Sequence, residues 1–332
     1  MACKLPTVQR FLSTLLLVLS LGGCVHRDEA LVLVGGVAVP AARIDAAPLG
    51  LLPSGALAIG RLDGRALFAS ALGGTTADIV ARVLPLGRES NFSAARDVHR
   101  VFGAIYAMQG ADFCAVLQGN FDVQTIAQAA ARRAATPSGT PLVRTPYAGY
   151  SIYTVANIGF AVLTPHTILS GDETGMRRAL DRLRSGRLEH ELEPWMGTTL
   201  GDAKAAFAVV ASLDKEGVIQ AVAERVPFVL GATRVRLLGN FASPGINAVG
   251  TVDYADVDAA SRGAAGFAQL RELAAFASFF AAFGGAQAPK LEVEARERQL
   301  SFAASVDTAF MQFLLGTLGQ ALRPATSSWV GR

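Results

Sequence analysis

Short apolar stretches that end in an aspartate alternate with longer stretches of helical periodicity along most of the chain. The stretches end at Asp63, Asp122, Asp214, Asp253 and Asp307, and Asp256 closely follows Asp253. An aspartate in this place accepts hydrogen bonds from the first turn of the following helix and stabilises that helix by about 1 kcal/mol. The pattern therefore predicts strand-to-helix junctions capped by carboxylates, and the alternative is an acidic site built from the same residues.

The hydrophobic periodicity predicts a sequence of strands and helices from residue 51 onward. In the first half these are strand 54–62, helices 76–85 and 93–108, strand 112–120, helix 122–134, hairpins across 140–170 and helix 173–185. In the second half these are strand 204–213, helix 215–226, hairpin 233–253 turning at residues 243–245, helix 256–283, hairpin 290–306 and helix 308–322. Because consecutive hairpins build antiparallel sheets, the expected fold class is α+β, with helices packed on one face.

Two similar segments, one in each part of the chain, indicate a possible internal repeat. The segment AIGRLDGRALFA (58–69) resembles VVASLDKEGVIQA (209–221), which raises the hypothesis of two related halves. Residues 186–201 are rich in charge and contain Pro194 and turn glycines, as expected of a linker. The predicted organisation is a signal peptide at 1–23, a lipidated N-terminus and tether at 24–50, a first half at 51–190, a linker at 191–200, a second half at 201–325 and a tail at 326–332.

The first residues have the pattern of a secretory signal peptide. Lys4 and Arg10 precede the uncharged, mostly apolar run FLSTLLLVLSLGG at 11–23. This run is too short for a comfortable membrane span, which takes roughly 20 apolar residues. We therefore expect an exported protein whose leader is removed.

The end of the leader, Leu21-Gly22-Gly23-Cys24, resembles the bacterial lipobox. The resemblance implies cleavage before Cys24, whose thiol then carries a diacylglycerol and the new N-terminus an acyl chain. Two or more acyl chains hold a protein stably on a bilayer, so the lipid bilayer is the first expected partner and no further cofactor is expected. Val25 follows the cysteine where an aspartate would signal inner-membrane retention, which favours the outer membrane, facing the periplasm or the cell surface.

Composition and charge narrow the function of the folded part. The chain has 332 residues, 51% of them hydrophobic, enough for a large core without disulfides. The net charge of +3 falls to +1 once Lys4 and Arg10 leave with the leader, so no nucleic-acid partner is expected. Cys114 lies in the apolar run DFCAVL without a cysteine partner in the mature chain and is interpreted as a buried hydrophobic residue.

Motifs for nucleotide and metal chemistry are missing from the sequence. No lysine follows a glycine, and no two glycines are separated by one residue, which excludes the P-loop and the dinucleotide fingerprint. His190 and Glu191 begin a zinc-protease pattern, but Pro194 occupies the position of the second histidine. No metal site is expected.

The motif of a serine nucleophile elbow is also incomplete, because Gly149 and Ser151 are not followed by the second glycine of the motif. The protein is therefore expected not to be an enzyme. The alternative of an unrecognised hydrolase requires a cleft in which several of these residues converge with perturbed pKa values: His99, His166, Asp172, Glu173 and His190.

Two helical segments contain clusters of one kind of side chain, arginine in one and large apolar residues in the other. One is a candidate basic patch formed by Arg177, Arg178, Arg182, Arg184 and Arg187, where the alternative is compensation of the helix dipole. The other is a candidate apolar groove or interface formed by Phe267, Leu270, Leu273, Phe276, Phe279, Phe280 and Phe283, where the alternative is a core-facing stripe.

The stretches LLPSGALAIGRLD, YAGYSIYTV and FAVLTPHTILSGDETGMRRALD, followed by VVASLD, are similar to a poorly characterised class of exported bacterial proteins of unknown function. The resemblance supports the fold and brings no functional residues with it. We interpret the chain as a cell-envelope lipoprotein with an interaction or scaffolding role toward an envelope protein or lipid. The alternative is a carrier of a lipophilic ligand in a Phe-lined cavity.

A Cys24→Ala variant tests the anchor. We expect a high-salt wash to release the variant from the membrane fraction, because a mature chain of near-neutral charge has little electrostatic attraction to lipid. The unaltered protein stays with the membrane in the same fractionation. Retention of the variant after the wash would show that something other than lipidation holds the protein.

Overall fold

The computed structural model describes residues 38–83, 88–106, 112–132, 141–213, 229–281 and 289–321. In these ranges the strands are β1 (Ala58–Asp63), β2 (Val98–Ile105), β3 (Phe113–Gly119), β4 (Val143–Tyr147), β5 (Tyr150–Val155), β6 (Ile158–Thr164), β7 (Thr167–Asp172), β8 (Phe207–Ser212), β9 (Ala232–Asn240), β10 (Gly245–Tyr254), β11 (Lys290–Arg296) and β12 (Gln299–Asp307). The helices are α1 (Ala41–Ala46), α2 (Pro48–Leu51), α3 (Gly64–Ala69), α4 (Gly73–Val83), α5 (Ala94–Asp97), α6 (Val123–Arg132), α7 (Glu173–Arg184), α8 (Pro194–Leu200), α9 (Val257–Ala281) and α10 (Thr308–Ala321).

All these strands form one 12-stranded sheet in the order β11-β12-β10-β9-β8-β1-β2-β3-β7-β6-β5-β4. Neighbouring strands are antiparallel throughout. The predicted α+β class with antiparallel pairing is therefore confirmed. The hairpins predicted at 233–253 and 290–306 are present as β9–β10 and β11–β12.

The two halves of the chain meet at the β1–β8 pair in the middle of the sheet. Ala58 pairs with Ala211 and Leu62 with Phe207. Outward from this pair the strand order is β1-β2-β3-β7-β6-β5-β4 on one side and β8-β9-β10-β12-β11 on the other, so the two halves share one topology over five strands and the first half adds β5 and β4 at its edge. This equivalence supports the hypothesis of related halves, and the two similar segments begin at the central pair, in β1 and in β8.

The segment predicted as a linker, 191–200, does not separate two domains. Residues 194–200 form α8, and Met196 and Leu200 are buried in the same core cluster as Val210 of β8 and Ile59 of β1. The sheet runs without interruption from one half to the other, so the halves have no independent boundary here. The charge of the segment comes from its exposed residues, whereas Met196 and Leu200 make it part of the core.

Helices cover both faces of the first half, which corrects the expectation of helices on one face. On one face, here called face A, Cys114 and Val116 of β3 pack with α7 residues such as Met176. On the other, face B, Leu117 of β3 packs with Ile126 of α6. Both strand faces are apolar in β3, and a strand buried on two sides has no polar alternation to display.

The second half is covered differently. On face B, Val252 and Leu300 pack against Phe267 of α9. On face A the row Arg236, Thr251, Ser301 and Glu294 crosses β9, β10, β12 and β11, and this row is polar. Along β10 and β12, these apolar side chains on face B alternate with the polar side chains on face A. This is the pattern of a sheet with one solvated face.

Two stretches of the chain depart from the prediction. Residues 93–108 were expected to be helical, but only α5 is a helix there and β2 follows it. In β2, Phe102 and Ala104 point to face A and Val101 to face B, so pairing with two neighbours overrides the helical pattern. Residues 41–50, expected to belong to a tether, lie in α1 and α2, and Ile44 of α1 is buried in the core.

The aspartate caps are confirmed at Asp63, Asp122 and Asp307, whose carboxylates accept hydrogen bonds from Ala66 N at 2.9 Å, Thr125 N at 3.0 Å and Ala309 N at 2.8 Å. The fourth cap is Asp256, which accepts from Ala259 N at 2.6 Å. Asp253 caps no helix but accepts from Gln299 Nε2 of the neighbouring strand at 2.7 Å. Asp214 and the helix predicted at 215–226 lie outside the described residues.

Asp45 fastens α1 to the body. Its Oδ1 accepts hydrogen bonds from the hydroxyls of Thr164 and Thr167, the latter at 2.6 Å, and its backbone carbonyl accepts from Gln118 Nε2 at 2.6 Å. Both threonines are buried, at 4% and 0% exposure, so their hydroxyls depend on this carboxylate. The first described helix is thereby fixed to the β6–β7 turn.

An Asp45→Ala substitution should lower the free energy of unfolding by about 2–4 kcal/mol, because it leaves two buried hydroxyl donors without an acceptor. Asp45→Asn keeps an acceptor oxygen and serves as the matched control, with an expected loss of under about 1 kcal/mol. Urea denaturation of the three proteins measures both values. Equal losses in the two variants would contradict this role of the acceptor.

Candidate functional site

A large apolar concavity lies on face B, over the middle of the sheet. It has a volume of about 480 Å³. Its floor comes from β1, β2 and β8, and its walls from α3, α4, α10 and the start of the β9–β10 hairpin. We call it the central groove, and its lining residues are Gly60, Arg61, Leu62, Leu67, Leu72, Thr76, Val101, Gly103, Phe207, Val209, Phe241, Ile246, Met311 and Leu315.

Two glycines make the floor of the central groove deep. Gly60 and Gly103 are directly paired across β1 and β2. A Cβ atom added at Gly103 would meet no atom within 4 Å, and one at Gly60 would meet only ordinary contacts at 3.6 Å and 3.8 Å. The neighbouring helices therefore do not fill the space above these glycines. A ligand can approach the backbone of the sheet there.

The walls belong to both halves of the chain. Leu67 and Leu72 come from the first half, and Met311 and Leu315 come from α10 at the end of the second. The rings of Phe207 and Phe241 lie 5.4 Å apart at one side. Gln312 Nε2 donates to the Ala71 carbonyl at 3.1 Å and ties α10 to the loop between α3 and α4.

The central groove carries no charged group directed into it from the residues described. Arg61 is its single ionisable lining residue, and its guanidinium donates to the carbonyls of Asp202 at 2.7 Å and Ala205 at 2.6 Å. The remaining side chains are apolar except for Thr76, whose hydroxyl donates to the Leu72 carbonyl at 2.9 Å. Chemically, this surface favours hydrocarbon.

A second, smaller concavity of about 220 Å³ adjoins the central groove. The two share Leu72 and Phe241. The remaining lining of the smaller one includes three hydroxyl groups, and its full set is Ser70, Ala71, Leu72, Phe241, Ser243, Pro244, Gly245 and Thr308. We call it the hydroxyl pocket.

The Phe-rich segment does not line the central groove in its described part. Phe267 is 5% exposed, lies in the second-half core and contacts the ring of Phe302 at 5.4 Å. The side chains of Leu270, Leu273, Phe276, Phe279 and Phe280, and all of Phe283, lie outside the described residues, as does the lipidation residue Cys24. The described lining of the central groove comes from other residues, such as Leu72, Phe207 and Met311.

The candidate basic patch on α7 has a partner for every arginine. Arg177 bonds to Glu173 at 2.6 Å and lies over the Tyr147 ring, and Arg178 lies over the Tyr106 ring. Arg184 pairs with Asp181 at 3.1 Å, and Arg187 Nε donates to Ser185 Oγ at 2.9 Å. The function of this set as a basic patch stays a prediction.

Arg182 is the buried member of this set, at 6% exposure. Its guanidinium donates to the Gly50 carbonyl at 3.0 Å and the Glu189 carbonyl at 2.7 Å, and it pairs with Glu191 at 3.3 Å. It therefore joins α2, α7 and the chain that leads into α8. Its place in the fold is structural.

The groups considered for a hydrolase are divided among three places in the described fold: His99 with His166, Asp172 with Glu173 at the start of α7, and His190. His99 lies beside Arg65, and burial together with that cation lowers its pKa. His166 lies 3.0 Å from the Gly119 carbonyl through Nδ1, while His190 lines a crevice of about 110 Å³ beside Arg182. No group of three His, Cys, Asp or Glu residues in the described chain is placed to hold a metal ion.

Asp172 and Cys114 are buried titratable groups near face A. Burial raises the pKa of Asp172, although both oxygens of its carboxylate accept the bifurcated hydrogen bond of Gly175 N at the start of α7. Burial also raises the pKa of the Cys114 thiol, which is 0% exposed. A protonated buried thiol is a poor nucleophile, and the interpretation of Cys114 as a core residue is confirmed.

Sequence reasoning missed the central groove because its residues are separated by much of the chain. Gly60 and Gly103 carried a signal, since glycine inside a strand pattern often marks a close backbone approach. Gly103 lay inside a stretch predicted to be helical, and that error hid the pair.

No protein-family model matches this chain, and no curated protein matches it significantly. Solved structures of TP0453 are similar in fold. Crystal form III superposes with a TM-score of 0.50 at 12% identity and covers 82% of this chain and 98% of that one. Crystal forms IV and I give TM-scores of 0.47 at 13% and 12% identity, with 82% of this chain and 96% and 97% of those chains covered. At this identity the likeness concerns the fold alone.

No helix in the described part of the chain is both long enough and apolar enough to cross a membrane.

Substitution of Arg182 by alanine should lower the free energy of unfolding by about 2–3 kcal/mol, because two carbonyls and one carboxylate lose their donor. Arg187→Ala, on the same surface but with its side chain bonded to Ser185, is the matched control and should stay within about 0.5 kcal/mol of the unaltered protein. Chemical denaturation followed by circular dichroism separates the two. A stable Arg182→Ala protein would contradict the structural role.

Proposed function

We propose that this chain is an exported lipoprotein, held on a membrane through lipid on Cys24, whose folded body binds a lipophilic ligand in the central groove without catalysing a reaction. The central groove is the observation that carries the proposal. It combines an apolar lining, a volume of about 480 Å³ and a place at the junction of the two halves. Ligand pockets of about 300–1,000 Å³ with mostly apolar walls are the usual size for small-molecule binding.

The energetics favour a hydrocarbon occupant. Each methylene group moved from water into an apolar site contributes about 0.8 kcal/mol. The glycine floor leaves room for such groups at the backbone, and Leu72, Met311 and Leu315 supply apolar walls. A flexible acyl chain suits a groove with walls from both halves of the protein.

The proposed anchor keeps the ligand source within reach. The chain between Cys24 and Ala38 spans at most about 50 Å when fully extended. A lipidated Cys24 would therefore hold the folded body close to the bilayer, where lipids are abundant. This arrangement supports a carrier that takes its ligand from the membrane to which it is attached.

Binding of an environment-sensitive fluorescent fatty-acyl probe tests the proposal, with residues 24–332 carrying Cys24→Ser so that all described elements remain and no acyl chain is attached. Gly103→Leu fills the floor of the central groove, where an added Cβ meets no atom within 4 Å. Because displacing two methylene groups removes about 1.6 kcal/mol, we expect probe affinity to fall by about tenfold or more.

Gly74→Leu is the matched control, because Gly74 also has no atom within 4 Å of an added Cβ and lies on the exposed start of α4. It should bind the probe as the unaltered protein does. Equal probe binding by the two leucine variants, with both proteins folded, would refute the groove as the binding site. Absence of probe binding altogether would favour the interaction or scaffolding role instead.

A further inference from the structure

We infer that the ligand is an uncharged amphiphile whose hydrocarbon chain lies in the central groove and whose head group donates hydrogen bonds into the hydroxyl pocket. This inference rests on the proposed function and adds the chemical class of the ligand. Its first support is continuity, since Leu72 and Phe241 belong to both concavities. A molecule with an apolar and a polar end can therefore occupy both at once.

Two of the three hydroxyls in the hydroxyl pocket offer acceptors rather than donors. Ser70 Oγ donates its hydrogen to the Leu67 carbonyl at 2.6 Å and accepts from Leu72 N at 3.2 Å, which leaves one lone pair. Thr308 Oγ1 donates its hydrogen to the Pro244 carbonyl at 2.9 Å, which leaves two. A hydroxyl has one donor and two acceptor lone pairs, so both side chains can still accept a bond but have no hydrogen left to give.

The backbone carbonyls around the hydroxyl pocket are already engaged. The Pro244 carbonyl accepts from Thr308 N at 2.9 Å as well as from the Thr308 hydroxyl, and the Leu72 carbonyl accepts from Thr76 N at 3.0 Å and Thr76 Oγ1 at 2.9 Å. The Ala71 carbonyl accepts from Gln312 Nε2 at 3.1 Å. Beside these carbonyls, the hydroxyls of Ser70 and Thr308 can take part in recognition only through their lone pairs.

Charge adds a second restriction. The residues that line the hydroxyl pocket include no ionisable side chain, and Arg61 of the central groove points its guanidinium to two backbone carbonyls. A carboxylate or phosphate head group would meet oxygen lone pairs without a counter-charge, which is unfavourable. A glycerol or sugar head group, with hydroxyls that donate, matches the pocket.

Three myristoyl compounds with the same acyl chain separate the effect of hydrogen-bond donors in the head group from the effect of head-group charge. Monomyristoylglycerol has a neutral head with donors, methyl myristate a neutral head without donors, and ionised myristic acid a charged head. We expect displacement of the fluorescent probe from residues 24–332 carrying Cys24→Ser to be tightest with monomyristoylglycerol, by about fivefold over the methyl ester.

A variant with Ser70→Ala and Thr308→Val removes the two hydroxyls whose hydrogens are already donated to backbone carbonyls. We expect it to bind monomyristoylglycerol about as weakly as the methyl ester, while its affinity for the methyl ester stays unchanged and shows that the central groove is intact. Thr308→Val alone, which leaves the Ser70 bond to Leu72 N in place, should give part of the same loss if the double variant does not fold.

The possible failures are distinguishable. Equal binding of monomyristoylglycerol and methyl ester, or preference for ionised myristic acid, overturns the head-group inference and leaves the central groove as a hydrocarbon site. Failure of all three compounds to displace the probe from the groove, with Gly103→Leu unchanged in probe binding, overturns the proposed function as well.

Discussion

The pairing of β1 with β8 is the constraint on which the rest of this structure depends. It joins two halves of equal topology edge to edge, so neither half has a separate sheet and the central strands need cover on both faces. On face A, α2 and α8 meet that need with Leu51, Met196 and Leu200. On face B the cover comes from α3, α4 and α10, which belong to opposite ends of the chain, and the central groove lies between them.

The helix that ends the second half breaks the equivalence of the halves. The helix after β7 is α7, which packs on face A, whereas the helix after the equivalent strand β12 is α10, which lies on face B. The turn of β9–β10 fixes this direction, because the Pro244 carbonyl accepts from both Thr308 N and Thr308 Oγ1. As a result α10 forms a wall of the groove instead of covering the polar row of Arg236, Thr251 and Ser301.

Local chemistry made much of the fold predictable from the sequence. The caps at Asp63, Asp122 and Asp307 and the turn at residues 243–245 act through contacts within a few residues, so their pattern can be read directly. β2 was not predictable in this way. Its extended conformation depends on pairing with β1 and β3, and no local sequence preference specifies that pairing. The candidate site could not be predicted from the sequence for the same reason, because Gly60, Gly103 and Met311 come together only in the tertiary fold.

The distribution of charge shapes what the central groove can recognise. Arginines on α7 and β9 lie on face A and are occupied by carboxylates, carbonyls and aromatic rings, as with Arg177 over Tyr147 and Arg236 over Trp195. Beside the groove on face B, the carboxylates of Asp63 and Asp307 cap helices by binding backbone N–H groups. In the proposed binding mode, discrimination among ligands on face B therefore depends on apolar burial and on hydrogen bonding to neutral hydroxyls. Burial is tolerant of chain length because its free energy grows smoothly with each methylene group. In that proposed mode the sharper selection falls to the head group, because the hydroxyls of Ser70 and Thr308 offer lone pairs to a donor but no hydrogen to an acceptor.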